Sequence, residues 1–371
     1  MIGQKIKIYP TNKQKEQLER MFEFSKHAYN TMLNEWEREY SNYKNGISKS
    51  RPSSRKIRDW YKQNKEDCYK DMSNMIIETV SEHLENAYKR FFNKTARCPQ
   101  EKRENSKKSF SLNAKNKNVC YISNNRVKIN KNLHVKISEQ LKYKNPKVYT
   151  ISCINDEYFL SISFEDNKIN NIKKTGNICG IDLGLKTNVV LSDNLKQTKE
   201  YNQSKLKYDR YIKSISNIES RLSKKQKGSK SWKKLTNKLH SKNKNRFNRN
   251  NDFYNKTVLE ICTLYDFIGI EDLDVKNLSR NKRLAKAWNR STIGRFITKL
   301  ENKANMFGKQ IIKVDKFYPS SQICSCCGNR QPMPLYKRTY ICEKCNNTID
   351  RDVNASINIL NEAQRILRSK Q

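Results

Sequence analysis

Residues 2–9, IGQKIKIY, largely alternate apolar and polar side chains, the period of a half-buried strand, and Pro10 ends the run. Thr11 then reads as a helix N-cap. From there to about residue 40 a helical period carries Leu18, Met21, Phe22, Ala28, Tyr29, Met32, Leu33 and Trp36. A second helical stretch, about 72–92, lines up Ile76, Ile77, Val80, Leu84, Ala87, Tyr88 and Phe91, so an antiparallel helix pair with an apolar core is expected. The intervening KSRPSSRK and the following KTARCPQEKREN are basic and polar, and read either as phosphate contacts or as solvated loops.

Between Val119 and Glu165 the pattern changes to short alternating runs, VCYISN, NRVKIN, KVYTISCI and EYFLSISF, separated by Asn-rich or Asp-rich turns. These predict a small antiparallel β unit, taken as a barrel, which the strand at 2–9 joins across the inserted helices. At residue 178 the texture shifts again. In ICGIDLGLKTNVVLSDN an apolar strand carries a single charge, Asp182, and a second apolar run, Val189-Val190-Leu191, completes a hairpin. A carboxylate on an apolar strand costs several kcal/mol unless it is paired or binds metal, which favours a functional reading. Residues 203–262 read as a strongly basic antiparallel helical pair broken near Gly228-Ser229, either a solvated face or a guide for a phosphate backbone. A second apolar strand, Phe267 to Ile270, then ends at Glu271 and Asp272. A helix from Trp288 to Phe307, a strand from Gln310 to Val314 and a helix opening at Asp350-Arg351-Asp352 complete the pattern.

Composition narrows the partners. The chain has 371 residues, enough for two or three domains, and 76 Lys plus Arg against 37 Asp plus Glu give a formal charge of +39. So large an excess self-repels unless a polyanion neutralises it, which points to nucleic acid ahead of a ribosome- or membrane-associated basic protein. No apolar run reaches the roughly 18–20 residues of a spanning helix. Of 11 cysteines, four form two Cys-x-x-Cys knuckles and the rest are scattered without a disulfide-like framework, as in a reducing cytosol. MIGQKIKIYP lacks the apolar core of a signal peptide, so export is not expected.

The knuckles are Cys324/Cys327 and Cys342/Cys345, with 14 residues between them. Four soft thiolates at this spacing suit tetrahedral Zn²⁺ with no open position, hence a structural ion; an iron–sulfur cluster is the main competitor. Gly328 and Asn346 follow the second cysteine of each knuckle, where positive φ is tolerated, and Cys326 is a spare thiol. Asp182, Glu271 and Asp352 share another arrangement, an acid on an apolar strand or at a helix start in a chain that must bind polyanions. Three converging carboxylates can hold two Mg²⁺ ions about 4 Å apart for phosphodiester hydrolysis. Asp350, Asp272 and Asp274 read as caps or supporting groups, and none of His27, His83, His134 and His240 lies in these motifs.

At these residues the chain resembles the transposon-encoded TnpB proteins, RNA-guided nucleases related to type V CRISPR effectors. GIDLG at 180–184 resembles the first RuvC motif and GIEDL at 269–273 the second. SSQICSCCG and YICEKC resemble the family's zinc ribbon, and DRDVNASINIL at 350–360 its third motif. KIKIYPT and AYKRFF resemble its opening strand and helical region. The resemblance implies an α/β, RNase H-like (RuvC) nuclease domain with Asp182, Glu271 and Asp352 as its magnesium-binding triad, Asp352 being the acid that precedes x-Asn-Ala. It implies a transposon-derived guide RNA, a double-stranded and single-stranded DNA target and a short flanking motif, with neither a membrane nor a small-molecule cofactor involved. Departures are small: Asn346 stands where glycine is usual and Ser356 where a second alanine is frequent.

The resulting expectation is a β-barrel of 1–10 and 101–172 with a helical recognition insertion of 11–100. A RuvC-like domain of 173–319 and 350–371 follows, with a zinc ribbon inserted at 320–349. The expected activity is Mg²⁺-dependent, RNA-guided DNA cleavage in the cytoplasm of a prokaryote. Its rivals are a small type V CRISPR effector and a non-cleaving RNA-guided DNA binder.

Overall fold

The computed structural model describes every residue except 1, 115–120, 124, 166–173, 185–188, 203–204, 274–292, 335 and 370–371. The chain divides into two compact units, Met1–Asn167 and Lys168–Gln371.

In the first unit β1 (Ile2–Tyr9) leads into α1 (Asn12–Lys44). Thr11 caps α1 in a reciprocal capping box with Gln14, satisfying backbone donors that a helix start otherwise leaves unpaired. Two further helices follow, α2 (Ser54–Gln63) and α3 (Asn74–Phe92), capped by Ser53 and Ser73. The strands are β2 (Lys108–Asn113), β3 (Tyr121–Ser123), β4 (Arg126–Asn130), β5 (Leu133–Ile137), β6 (Pro146–Ile154) and β7 (Glu157–Phe164). They form one antiparallel sheet in the order β2-β6-β7-β1-β5-β4-β3. As expected, β1 pairs with strands more than 100 residues away, Ile6 opposite Leu160 and Ile8 opposite Ile137. The described pairings leave β2 and β3 at opposite ends of the sheet, and a closing contact between those edges is not among them. One continuous core joins helices and sheet, with Leu18, Phe24, Ile77 and Leu84 meeting Leu112, Ile151 and Leu160.

Three strands or helices of this unit, α2, β2 and β5, are not among the runs read from the sequence. α2 buries only Ile57 and Tyr61 within a charged SRKIRDWYKQ, and β2 buries Phe110 to Ser111 and Leu112 in a six-residue KSFSLN. α2 has helical spacing but is short, and β2 buries consecutive residues, so neither period stands above the basic background.

In the second unit β8 (Ile178–Asp182), β9 (Val189–Asp193) and β10 (Thr198–Tyr201) form an antiparallel meander. The basic hairpin α4 (Lys205–Ser223) and α5 (Lys230–Leu264) follows. Then β11 (Phe267–Glu271) pairs parallel to β8, and β12 (Gln310–Val314) pairs parallel to β11 after α6 (Ile293–Phe307). The sheet order is β10-β9-β8-β11-β12. The short hairpin β13 (Thr339–Ile341) and β14 (Thr348–Asp350) runs directly into α7 (Arg351–Arg368). Trp288 and Asp274 lie outside the described residues.

Side chains alternate across a strand, and here the alternation sorts two cores. Cys179, Ile181, Ile268 and Ile270 pack with Val258, Ile261, Phe296 and Leu300 of α5 and α6. Ile178 and Ile312 face Leu360 and Ala363 of α7 instead. The sheet is therefore a middle layer between α5/α6 and α7.

Candidate active site and candidate metal centre

Gly180 and Gly269 sit opposite each other in the parallel β8–β11 register. A Cβ on Gly180 would lie 2.7 Å from Leu360 Cα, and one on Gly269 would lie 2.7 Å from Ala363 Cβ. Contacts so short are unavailable to real side chains, so both positions are glycine because α7 rests on the sheet there. Two residues on, and on the same face by the strand period, stand Asp182 and Glu271. Asp352 lies in the first turn of α7. The spacing of glycine and acid in GID and GIE thus combines a docking point for α7 with a carboxylate beside its start.

Electrostatics record the proximity. Burial, then the charges of Glu271 and Asp352, push the Asp182 carboxyl up to about 8. Glu271 is also raised by burial, opposed by a hydrogen bond from Ser320. Ser320 Oγ donates to Glu271 Oε1 at 2.5 Å, and the Arg338 guanidinium lies 3.4 Å from both carboxylate oxygens of Asp352. The Arg351 charge partly opposes the rise at Asp182, while Ser320 and Arg338 serve Glu271 and Asp352. Hard oxygen donors are the set that suits a divalent cation such as Mg²⁺.

The thiols are more closely gathered. Ligand atoms of Cys324, Cys327, Cys342 and Cys345 all lie within 4.8 Å of one another, the one such group among the described residues. Sγ separations of 3.7 Å for Cys324–Cys345 and 3.5 Å for Cys327–Cys342 sit close to the edge of about 3.8 Å that a tetrahedron with Zn–S bonds near 2.3 Å requires. Each knuckle closes identically: Gly328 N donates to Cys324 O and Asn346 N to Cys342 O, both at 2.9 Å. Gly328 and Asn346 adopt φ of 73° and 54°, as their residue types allow. The backbone N–H of Cys345 helps hold the Cys342 thiol down, to about 6, while the neighbouring sulfurs push Cys327 up and Cys345 up to about 12, so the four do not ionise together without a cation. The cluster is compatible with structural zinc. Cys326 is exposed and outside it.

The ribbon and the carboxylates are mechanically joined through residues that sequence reading missed. Asn354 donates to Ile323 O and accepts from Ser325 N. Asn358, one turn later, donates to Ser320 O and Ile323 O, fixing the residue that holds Glu271. Two buried Asn at i, i+4 on an otherwise apolar helix face were a readable signal. Arg338 carried none: it reaches Asp352 because Arg351 N bonds Arg338 O and Thr339 pairs with Asp350 across the hairpin. The supporting roles expected for two other acids hold, since Asp350 caps α7 by accepting from the N–H of Asp352 and Val353, and Asp272 meets Lys313 at 3.5 Å.

Comparison with known proteins agrees along the chain. Residues 294–359 match the "Cas12f1-like, TNB domain" family model, residues 161–282 the "Probable transposase" model of the OrfB group, and residues 1–45 that group's "Helix-turn-helix domain". In this structure residues 2–44 fold as a strand and one 33-residue helix. A "Putative RNA-guided DNA endonuclease" of Streptomyces pristinaespiralis is 28% identical over 96% of this chain and 88% of its own length. "Putative RNA-guided DNA endonuclease InsQ" of Escherichia coli K12 is 24% identical over 83% and 79%. The fold is similar to the protein in a Cas12f1-sgRNA-target DNA complex, with TM-score 0.65, 18% identity, and 95% of this chain and 83% of that one covered. A mini-RNA-guided endonuclease, Cas_phi3, aligns with TM-score 0.50 at 11% identity over 98% and 92%.

Proposed function

We propose that this chain, which resembles the TnpB proteins over nearly its whole length, is an RNA-guided DNA endonuclease of a transposon. The observation that supports the reading is that β8 and β11 run in parallel register toward Asp182 and Glu271, α7, which opens with Asp352, is seated on Gly180 and Gly269, and the charges of Glu271 and Asp352 are felt at Asp182. The meander and two parallel strands of the second unit, in the order β10-β9-β8-β11-β12, support an RNase H-like (RuvC) reading. In the proposed division, residues 173–319 and 350–371 are that nuclease domain and 320–349 its zinc ribbon. Residues 1–10 and 101–172 are the barrel and 11–100 the recognition insertion, and the two together read a short flanking motif.

Asp182, Glu271 and Asp352 would hold two Mg²⁺ ions, which supply a Lewis acid at the scissile phosphodiester. Asp182 is the innermost group, and its raised pKa means that a bound cation and a proton compete for it. Ser320 fixes the orientation of Glu271, and Arg338 lends Asp352 a positive neighbour beside an incoming phosphate. The ribbon, closed by zinc on Cys324, Cys327, Cys342 and Cys345, holds the start of α7 in place. Phosphates of the guide RNA and of the double-stranded and displaced single-stranded DNA offset the +39 charge in the cytoplasm, at the nucleoid of a prokaryote.

The test is to purify the chain from its host, sequence the RNA that accompanies it, and present a DNA library bearing the matching target. Mg²⁺-dependent cuts beside one flanking motif are expected. A bound guide without cutting would favour a non-cleaving regulator, and repeat-derived RNA would favour a type V CRISPR effector. The retained carboxylates weigh against the regulator.

A further inference from the structure

Among the described residues of the second unit, Phe317 is 80% exposed, more than any other phenylalanine. One exposed apolar side chain is ordinary, but this one stands on a constrained turn in a defined place. Phe317 N donates to Asp315 Oδ1 at 2.7 Å, Tyr318 N to Asp315 O at 3.0 Å, and the Tyr318 hydroxyl to Asn358 O at 3.4 Å. The turn begins after Val314, the register partner of Glu271, and ends at Ser320, whose hydroxyl donates to Glu271. Three residues of chain reach at most about 11 Å, so the ring's backbone is held close to the carboxylate site. The Lys316 ammonium lies 4.7 Å from the ring centroid, placing a cation beside the aromatic face.

A fixed, solvent-facing aromatic ring with an adjacent cation is how proteins hold unpaired nucleotides, the base stacked on the ring and its phosphate near the charge. The ring belongs to none of the apolar clusters of the described residues, so most of its surface is open to a ligand. We infer that Phe317 is a stacking platform for one nucleobase of the single strand entering the carboxylate site, setting which phosphodiester reaches Asp182, Glu271 and Asp352. The inference rests on the nuclease reading, and its test does not need cleavage.

In an Asp182→Ala background with its RNA bound, DNA single strands carrying 5-iododeoxyuridine at successive positions are irradiated and the adducts mapped by mass spectrometry. Adducts at Phe317 from one or two adjacent positions are expected. An abasic nucleotide at that position should weaken strand binding roughly 5- to 150-fold, the span of about 1–3 kcal/mol for base–aromatic stacking. Phe317→Ala should weaken it equally, Phe317→Trp should restore it, and the abasic strand should bind Phe317→Ala no worse than the intact strand does. Melting temperature and zinc content should be unchanged throughout. Adducts only elsewhere, undiminished binding by Phe317→Ala, or additive abasic and alanine losses would overturn the assignment. If Asp182-intact protein fails to cut while the Phe317 adducts persist, the nuclease reading falls and the platform stands.

Discussion

Two groups in the second unit suit metal ions, and they are built in opposite ways. The four cysteines converge to within 4.8 Å on two tight turns of the same form, each closed by its own backbone hydrogen bonds. The three carboxylates come from a strand, a second strand 89 residues later and a helix 81 residues after that, and two of them, Glu271 and Asp352, lean on Ser320 and Arg338. Thiols can approach without an ion because they shed charge by protonation and pack as small apolar groups. Carboxylates at neutral pH repel, so their assembly has to be imposed by the packing around them. A site built by local turns tolerates distant change. A site built by docking fails when its docking surface fails.

The largest effect should come from the carboxylates themselves. Asp182→Ala, Glu271→Ala or Asp352→Ala should each slow target cleavage by about 10³-fold or more, the loss of several kcal/mol of transition-state stabilisation, while guide RNA and target binding persist. Full cutting by any one of them would remove it from the site. Next is the dependence of one centre on the other. Cys342→Ser with Cys345→Ser should abolish zinc in metal analysis and reduce cleavage by about 10²-fold, because β14 runs directly into α7 and Asp352. Zinc loss with unimpaired cleavage would show that the two centres are independent.

A smaller effect tests the docking surface without touching a charge. Gly180→Ala forces its new methyl against Leu360 and should destabilise the chain by about 1–3 kcal/mol in urea titration, with slower cleavage and retained zinc. The smallest concerns protonation. Asp182 and Glu271 both hold raised pKa values in the folded chain, that of Asp182 about 8 against an ordinary 3.8. The folded state therefore binds more protons than the unfolded chain between about pH 4 and 8, and its stability falls as pH rises through that window. Chelated protein should be less stable at pH 8 than at pH 5, and Asp182→Asn should flatten that slope. Added Mg²⁺ should offset the loss at pH 8 in the wild type, because a bound cation favours the charged carboxylates.

Much of this was legible in the chain because the relevant signals are local. A period of two marked β1, apolar runs ending in an acid marked β8 and β11, Thr11 and Asp350 announced helix starts, and the knuckle spacing with Gly328 and Asn346 fixed the ribbon turns. The charge of +39 pointed to a polyanion before any coordinate was known. What the sequence left open was non-local. α2 and β2 are short pieces whose burial depends on a core assembled from strands far along the chain. Ser320 and Arg338 are unremarkable residue types that matter because a turn and a hairpin register set them against Glu271 and Asp352. The sequence by itself determined which residues were acidic, sulfur-bearing or periodic. Only the sheet order, with β8 beside β11 and α7 pressed on Gly180 and Gly269, decided that the strands and helix carrying three distant carboxylates meet. Backbone propensity acts over a few residues, whereas that convergence is a property of packed layers.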